Sequence, residues 1–131
     1  MTDSRLPITF DRWLVIVLNQ RESREKTDPK QPLDETKDTR RFIVLSPKDR
    51  RPVFNSIEVV SKKTGVNYPD VEIAKDGKLF TLDTIARVGQ IYTLSKKLDG
   101  ITALGTLNDR VIRHKIAIGL AVYLPLLSPL P

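Results

Sequence analysis

The sequence predicts a mainly β fold: a small, strongly curved sheet or barrel capped by one C-terminal helix. Two observations carry that expectation. Short apolar runs rich in β-branched residues recur between turn signals from residue 13 to residue 94. After Asn108, apolar residues recur at helical spacing instead. A chain of 131 residues fits one domain with one core, so residues 1–131 are read as a single unit.

The elements follow in order. Trp13 to Leu18 is an unbroken apolar run of the kind buried on both faces, hence a strand. Asn19 to Arg41 holds one apolar residue besides proline, Leu33, so burial cannot order it. A connection of that length is expected to be a mobile loop, spanning about residues 20–40. Phe42 to Leu45 reads as the second strand, stopped by Ser46-Pro47-Lys48-Asp49. Val53 to Ser61 reads as the third, with Ile57, Val59 and Val60 as inward candidates.

Asn67-Tyr68-Pro69 is a turn signal, and Val71-Glu72-Ile73 alternates like a half-exposed strand. Asp76-Gly77 reads as a tight hairpin turn, with Leu79 to Leu82 as the returning strand. Ile85 to Leu94 is a further extended segment, bent at Gly89. Leu98 to Leu107 holds two glycines and reads as a loop. Asn108 is then the expected helix N-cap, with Asp109 favourably placed near the positive helix end. Val111, Ile112, Lys115, Ile116, Gly119, Leu120 and Tyr123 fall largely on one helical face.

Composition narrows the function. The chain has no cysteine and one histidine, His114, which removes thiolate chemistry and any multi-histidine metal site within one chain. The N-terminal residues hold no apolar run of signal-peptide length, so a cytoplasmic protein is expected. Residues 116–131 are uncharged, but the apolar stretch is broken at Pro125, short of the roughly 20 residues that span a bilayer. A buried helix with a proline tail is the expectation, with no membrane partner. A tail this apolar also suits a subunit interface.

The net charge of +6 is unevenly placed. Residues 39–63 carry seven basic side chains against Asp49 and Glu58. A local basic excess is the footprint of a phosphate-backbone binder, and equally of a plain solvated face. At its start lies the doublet Arg40-Arg41, directly before a buried-type strand.

Several motifs, taken in order, resemble the MazF/PemK/Kid toxins of bacterial toxin–antitoxin systems. Trp13 to Asn19 matches the family's opening strand, with Gln20 where an Asn/Asp-Pro step has proline. Glu35, Thr39, Arg40, Val44, Ser46 and Pro47 match its Glu-containing loop and Arg-Pro-x-x-Val-x-Ser-Pro strand, with Arg41 in place of the proline. Tyr68-Pro69 with Val71 matches a Tyr-Pro-x-x-Val turn. Asp83-Thr84 with Val88 stands for an Asp-Gln strand leading to Ile, and Leu104-Gly105-Thr106-Leu107 for the Leu-Gly-x-Leu step before the last helix.

The resemblance implies an SH3-like barrel of the MazF/CcdB type, assembled as a homodimer. It implies a metal-independent endoribonuclease without cofactor that cuts single-stranded RNA at short sequences. It also implies an antitoxin partner whose acidic C-terminal segment covers the RNA groove. The RNA's own 2′-hydroxyl is the nucleophile in such chemistry, leaving proton transfer and charge stabilisation to the protein.

By this resemblance Arg40 holds the catalytic arginine position, suited to clamping a pentacoordinate phosphorane. The family's catalytic threonine falls on Lys62, with Ser61 just before it, so either is a candidate for the second catalytic group. Glu35, Lys37, Thr39, Arg41 and Lys63 are candidate RNA contacts. The long loop is expected to gate the groove. Trp13 and Phe42 are expected in the core, Tyr68 is more open to base stacking, and Asp83 is expected to fix local backbone. Two alternatives stand beside this reading: a non-catalytic toxin of the same fold that binds a protein such as gyrase, as CcdB does, and a nucleic-acid- or antitoxin-binding module without catalysis.

Overall fold

A computed structural model describes residues 7–19 and 39–127. Six strands, β1 (Leu14–Asn19), β2 (Thr39–Val44), β3 (Val53–Ser61), β4 (Val71–Ile73), β5 (Thr84–Ser95) and β6 (Ile101–Thr106), precede one helix, α1 (Arg110–Leu127). All strand pairs are antiparallel, in the order β4-β5-β3-β2-β1-β6. β4 and β6 are the two edges, and the sheet is not closed into a barrel.

The sheet carries apolar side chains on both faces because its central strands do. In β1, Val15 faces one way with Ile43, Ile57 and Val59, while Ile16 and Leu18 face the other with Phe42, Val44 and Phe54. This is why Trp13 to Leu18 is continuously apolar rather than alternating. The first face is covered by α1 through Ile112, Ile116 and Leu120, and by Phe80 from the loop before β5. The second is covered by the segment before β1, where Phe10 stacks on Phe54 with ring centroids 4.5 Å apart.

Several elements differ from expectation for identifiable reasons. β2 begins at Thr39, ahead of Phe42, because Arg40 and Arg41 pair with Leu18 and Val17 of β1. Leu79–Leu82 is not a strand. Asp76 Oδ1 accepts from the backbone N–H of Lys78 and Phe80, which winds the segment into a loop and drives Phe80 inward. β4 therefore pairs with β5 through a long connection.

Residues Ile101–Thr106, expected as loop, form the edge strand β6. Its glycines permit this. Gly100 turns the chain at φ 84°, and Gly105, at φ 147°, lies where the β1–β6 register slips between Val15 and Ile16. Gly89 lies in a similar irregularity. Pairing jumps from Ile57↔Ile91 to Val59↔Ala86, so β5 bends there under Tyr123 of α1.

The helix cap is Asp109 rather than Asn108. Its Oδ1 accepts from the N–H groups of Val111 and Ile112 at 2.9 and 3.1 Å. The inward face of α1 omits Val111 and Lys115, both exposed, and centres on Ile116 and Gly119. A Cβ on Gly119 would stand 3.2 Å from both the Pro69 carbonyl and a Val88 methyl, so glycine allows the helix to seat this closely. No described helix is long and apolar enough to cross a membrane.

Candidate nucleic-acid interface

Strand alternation divides the basic doublet. Neighbouring residues of β2 face opposite sides of the sheet, so Arg40 and Arg41 lie in different surroundings. Arg40 shares its face with Phe42 and with Glu58, the residue paired with Phe42 across the β2–β3 ladder. Arg41 pairs with Val17 and Val59 and shares the helix-covered face.

On its face, Arg40 is held on three sides. Its Nε and Nη2 donate to the two carboxylate oxygens of Glu58 at 2.7 and 2.9 Å, a bidentate pair. Its guanidinium carbon lies 5.1 Å from the Phe42 ring centroid and 5.0 Å from that of Tyr92. The hydrogen bond with Glu58 raises the Arg40 pKa further above its ordinary value, against the opposing effect of burial. The side chains of Arg40 and Glu58 keep only 27% and 15% of their exposure, so the pair is largely out of solvent.

Arg41 is provided for differently. Its guanidinium carbon is 5.9 Å from the Phe80 ring, and its Nε is buried without a hydrogen-bond partner among the described residues. It opens into a groove of about 230 Å³ where the ends of β1, β2, β3 and β5 meet the loop before β5. Thr39, Ser61, Thr81 and Thr84 bring hydroxyl groups to that groove, and no carboxylate lines it among the described residues. The ladders explain the grouping. Ser61 is two residues beyond Val59, the partner of Arg41, and faces Thr84 across the β3–β5 pair. Alternation thus sets Thr39, Arg41, Ser61 and Thr84 on one side of the sheet.

The other candidates are placed as follows. Ser61 caps the short 3-10 turn Lys62–Thr64, its Oγ accepting from the Lys63 N–H at 3.3 Å and leaving its O–H free to donate elsewhere. Lys62 turns outward, with Nζ 3.3 Å from Glu72 and both side chains 55% exposed. A pair that open to solvent is weak and easily exchanged for another anion. Lys63 and Thr39 are exposed. The structure therefore gathers Thr39, Arg41 and Ser61 with Lys62 and Lys63 at the adjoining turn; Arg40 also borders the groove, but its guanidinium lies with Phe42, Tyr92 and Glu58 on the opposite face. Glu35 and Lys37, with the expected gating loop, lie outside the described residues.

The basic excess of residues 39–63 is also divided. Lys48, Arg50 and Arg51 belong to the turn joining β2 to β3, at the far end of that hairpin from the groove. Six residues lie between Arg41 and Lys48, the first three of them in β2 and the rest leading into the turn. There Asp49 binds Arg51 and Lys96 at 2.8 and 3.1 Å, and these two hydrogen bonds, with Arg51 first, lower its pKa to about 2. Tyr68 is 81% exposed, while Trp13 is half-buried beneath Arg113 and Phe42 is fully buried. Asp83 accepts from the Lys75 N–H, and its carbonyl from the Lys62 N–H, tying the β4–β5 loop to the turn after β3.

Sequence reasoning missed Glu58 and Tyr92 as the partners of Arg40, and Thr81 and Thr84 as groove residues. The available signal was parity along β2 and β3, which assigns Arg41 and Ser61 to one face once Arg41 is paired with Val59. Comparison of the chain with models of known protein families and with curated proteins gives no match to either.

Proposed function

We propose that the chain binds single-stranded RNA at the groove end of the β2–β3 hairpin and cuts it without a metal, as the toxin of a toxin–antitoxin pair. The supporting observation is the groove itself, bordered by Arg40, Arg41 and several hydroxyl groups, with no carboxylate among the described lining residues. A lining so rich in donors suits a phosphodiester. The motif order that resembles the MazF/PemK/Kid toxins supports the same reading. With it come the proposals of an SH3-like sheet curvature, a homodimer, a cytoplasmic location, and an antitoxin whose acidic segment competes with RNA for the same cations.

In the proposed reaction the 2′-oxygen attacks the adjacent phosphorus and the bond to the 5′-oxygen breaks. The products are a 2′,3′-cyclic phosphate and a 5′-hydroxyl. Water takes the 2′-proton, the Lys62 ammonium delivers one to the leaving oxygen, and Ser61 with an arginine stabilises the phosphorane charge.

A second reading, a binding module without catalysis, is favoured by one observation. Arg40 borders the groove with Ser61, but its guanidinium is committed to Glu58, and Lys62 turns away to Glu72. One experiment separates the two. Single-stranded RNA incubated with the protein and a chelator should yield cyclic-phosphate ends, and Arg40→Ala/Arg41→Ala together should abolish them. Binding without cleavage selects the module; absence of both binding and cleavage sinks both readings.

A further inference from the structure

We infer that Arg41, and not Arg40, seats the phosphoryl group in the groove, with the Ser61 hydroxyl beside it, while Arg40 is a positioning residue that fixes β2. This inference deepens the RNA reading above and rests on it for the identity of the ligand. It reverses the order that the resemblance implies, since Arg41 stands where that pattern has a proline.

The two guanidinium groups differ in what each has left to give. Arginine offers five N–H donors in a rigid fork. Arg40 has turned the Nε–Nη2 edge of that fork, the edge that reads a phosphate bidentately, onto both oxygens of Glu58. Phe42 and Tyr92 pack beside its guanidinium. A phosphate approaching Arg40 would have to displace a carboxylate already in that geometry, or bind beside it against its charge.

Arg41 presents the opposite case. Its Nε is buried with no hydrogen-bond partner among the described residues, and no carboxylate among them pairs with its charge. The Phe80 ring lies 5.9 Å from its guanidinium carbon. The space in front is the 230 Å³ groove, whose hydroxyl groups donate as readily as they accept. A tetrahedral oxyanion there meets the charge of the Arg41 guanidinium and takes hydrogen bonds from the Thr39, Ser61 and Thr81 hydroxyls, the Thr84 hydroxyl already donating to the Ile73 carbonyl. Ser61 is suited to this because its Oγ lone pair is used by Lys63 while its O–H is not. Among the described residues no carboxylate lines the groove to compete for Arg41 as Glu58 does for Arg40.

The experiment uses the full chain and two probes. The first is a 2′-O-methyl single-stranded RNA, which binds but cannot be cut, followed by fluorescence anisotropy. The second is inorganic phosphate, followed through the Arg41 Nε–H resonance by NMR. Arg41→Ala should weaken RNA binding about ten- to a hundredfold and lower the salt slope by about one phosphate. Arg41→Lys should recover part of the affinity. Arg40→Met/Glu58→Met removes the ion pair as a unit, so that no buried charge is stranded, and should bind within about twofold of the parent.

The inference is overturned if Arg41→Ala binds RNA like the parent, or if the double Met variant, folded by its melting curve, loses as much as Arg41→Ala. It is overturned too if neither probe binds. A phosphate-induced shift of the Arg41 resonance, without RNA binding, upholds the phosphoryl seat and defeats the RNA reading.

Discussion

The two faces of the β2–β3 ladder solve the same problem in opposite ways. Each receives one arginine from a doublet whose members differ only in parity. On one face Glu58 and two aromatic rings satisfy the guanidinium within the protein. On the other the guanidinium meets one ring, a row of hydroxyls and an open groove. A buried cation has to be neutralised or hydrogen-bonded. Glu58 does so for Arg40, which belongs to the fold; none of the described residues does so for Arg41, which is left for a ligand. The comparison shows why charge counting alone was a poor guide. Seven basic residues within 25 positions divide between two faces and the two ends of one hairpin.

The comparison is tested first at the aromatic residues beneath it. Phe54→Ala and Phe80→Ala each empty a buried ring, at an expected cost of about 3–5 kcal/mol in chemical unfolding. The faces should then part company in function. Phe80→Ala should weaken phosphate binding as well, because Phe80 underlies Arg41, whereas Phe54→Ala should not once the folded fraction is matched. Equal loss of binding in both would remove the distinction.

Next in size are the charges. Glu58→Ala strands a largely buried guanidinium and should cost about 1–3 kcal/mol. Arg41→Ala removes an unpartnered donor and should stay within about 0.5 kcal/mol of the parent. Denaturant titration of the two variants side by side checks this, and a larger loss from Arg41→Ala would contradict the assignment of Arg40 to the fold.

Much of this layout was legible in the sequence, for local reasons. β3 and β4 announce themselves through their own apolar alternation, and β1 through an unbroken apolar run; each needs no knowledge of its neighbour. β6 is different. Residues Ile101–Thr106 follow Gly100 and contain Gly105, two breaks in the pattern, and only pairing with β1, more than 80 positions away, makes them a strand. Leu79–Leu82 failed the other way. Asp76-Gly77 signals a tight turn, but the Asp76 side chain bonds onward to Phe80 and keeps the chain from returning as a strand. The site was half legible: parity separates Arg40 from Arg41, yet the partner that commits Arg40 lies 18 residues away, at a position set by the ladder register.

The helix start offers a control away from both faces. Asp109→Ala should cost about 0.5–2 kcal/mol, while Asn108→Ala should cost less, because Asp109 makes the capping bonds. The smallest effect is expected at the far turn, where Asp49 titrates near 2 instead of 3.8. A depressed carboxylate contributes stability above its unfolded pKa and loses it as pH falls from about 4 through about 2. Asp49→Asn should therefore flatten the acid limb of the stability curve, leaving the Arg41 resonance unchanged at neutral pH.

Trp13 sits where these parts meet. It adopts φ 75°, uncommon for so bulky a residue, and its N–H and carbonyl bond to Val44 and Leu107 at 2.8 Å each. Arg113 of α1 lies over its ring, 5.4 Å from guanidinium carbon to centroid. As the chain's one tryptophan, it gives the protein an intrinsic fluorophore at the junction of β1, β2 and the helix. Emission excited at the indole band thus reports the docking of α1 and not merely global unfolding. An Arg113→Ala variant would calibrate the cation's share of that signal without any added label.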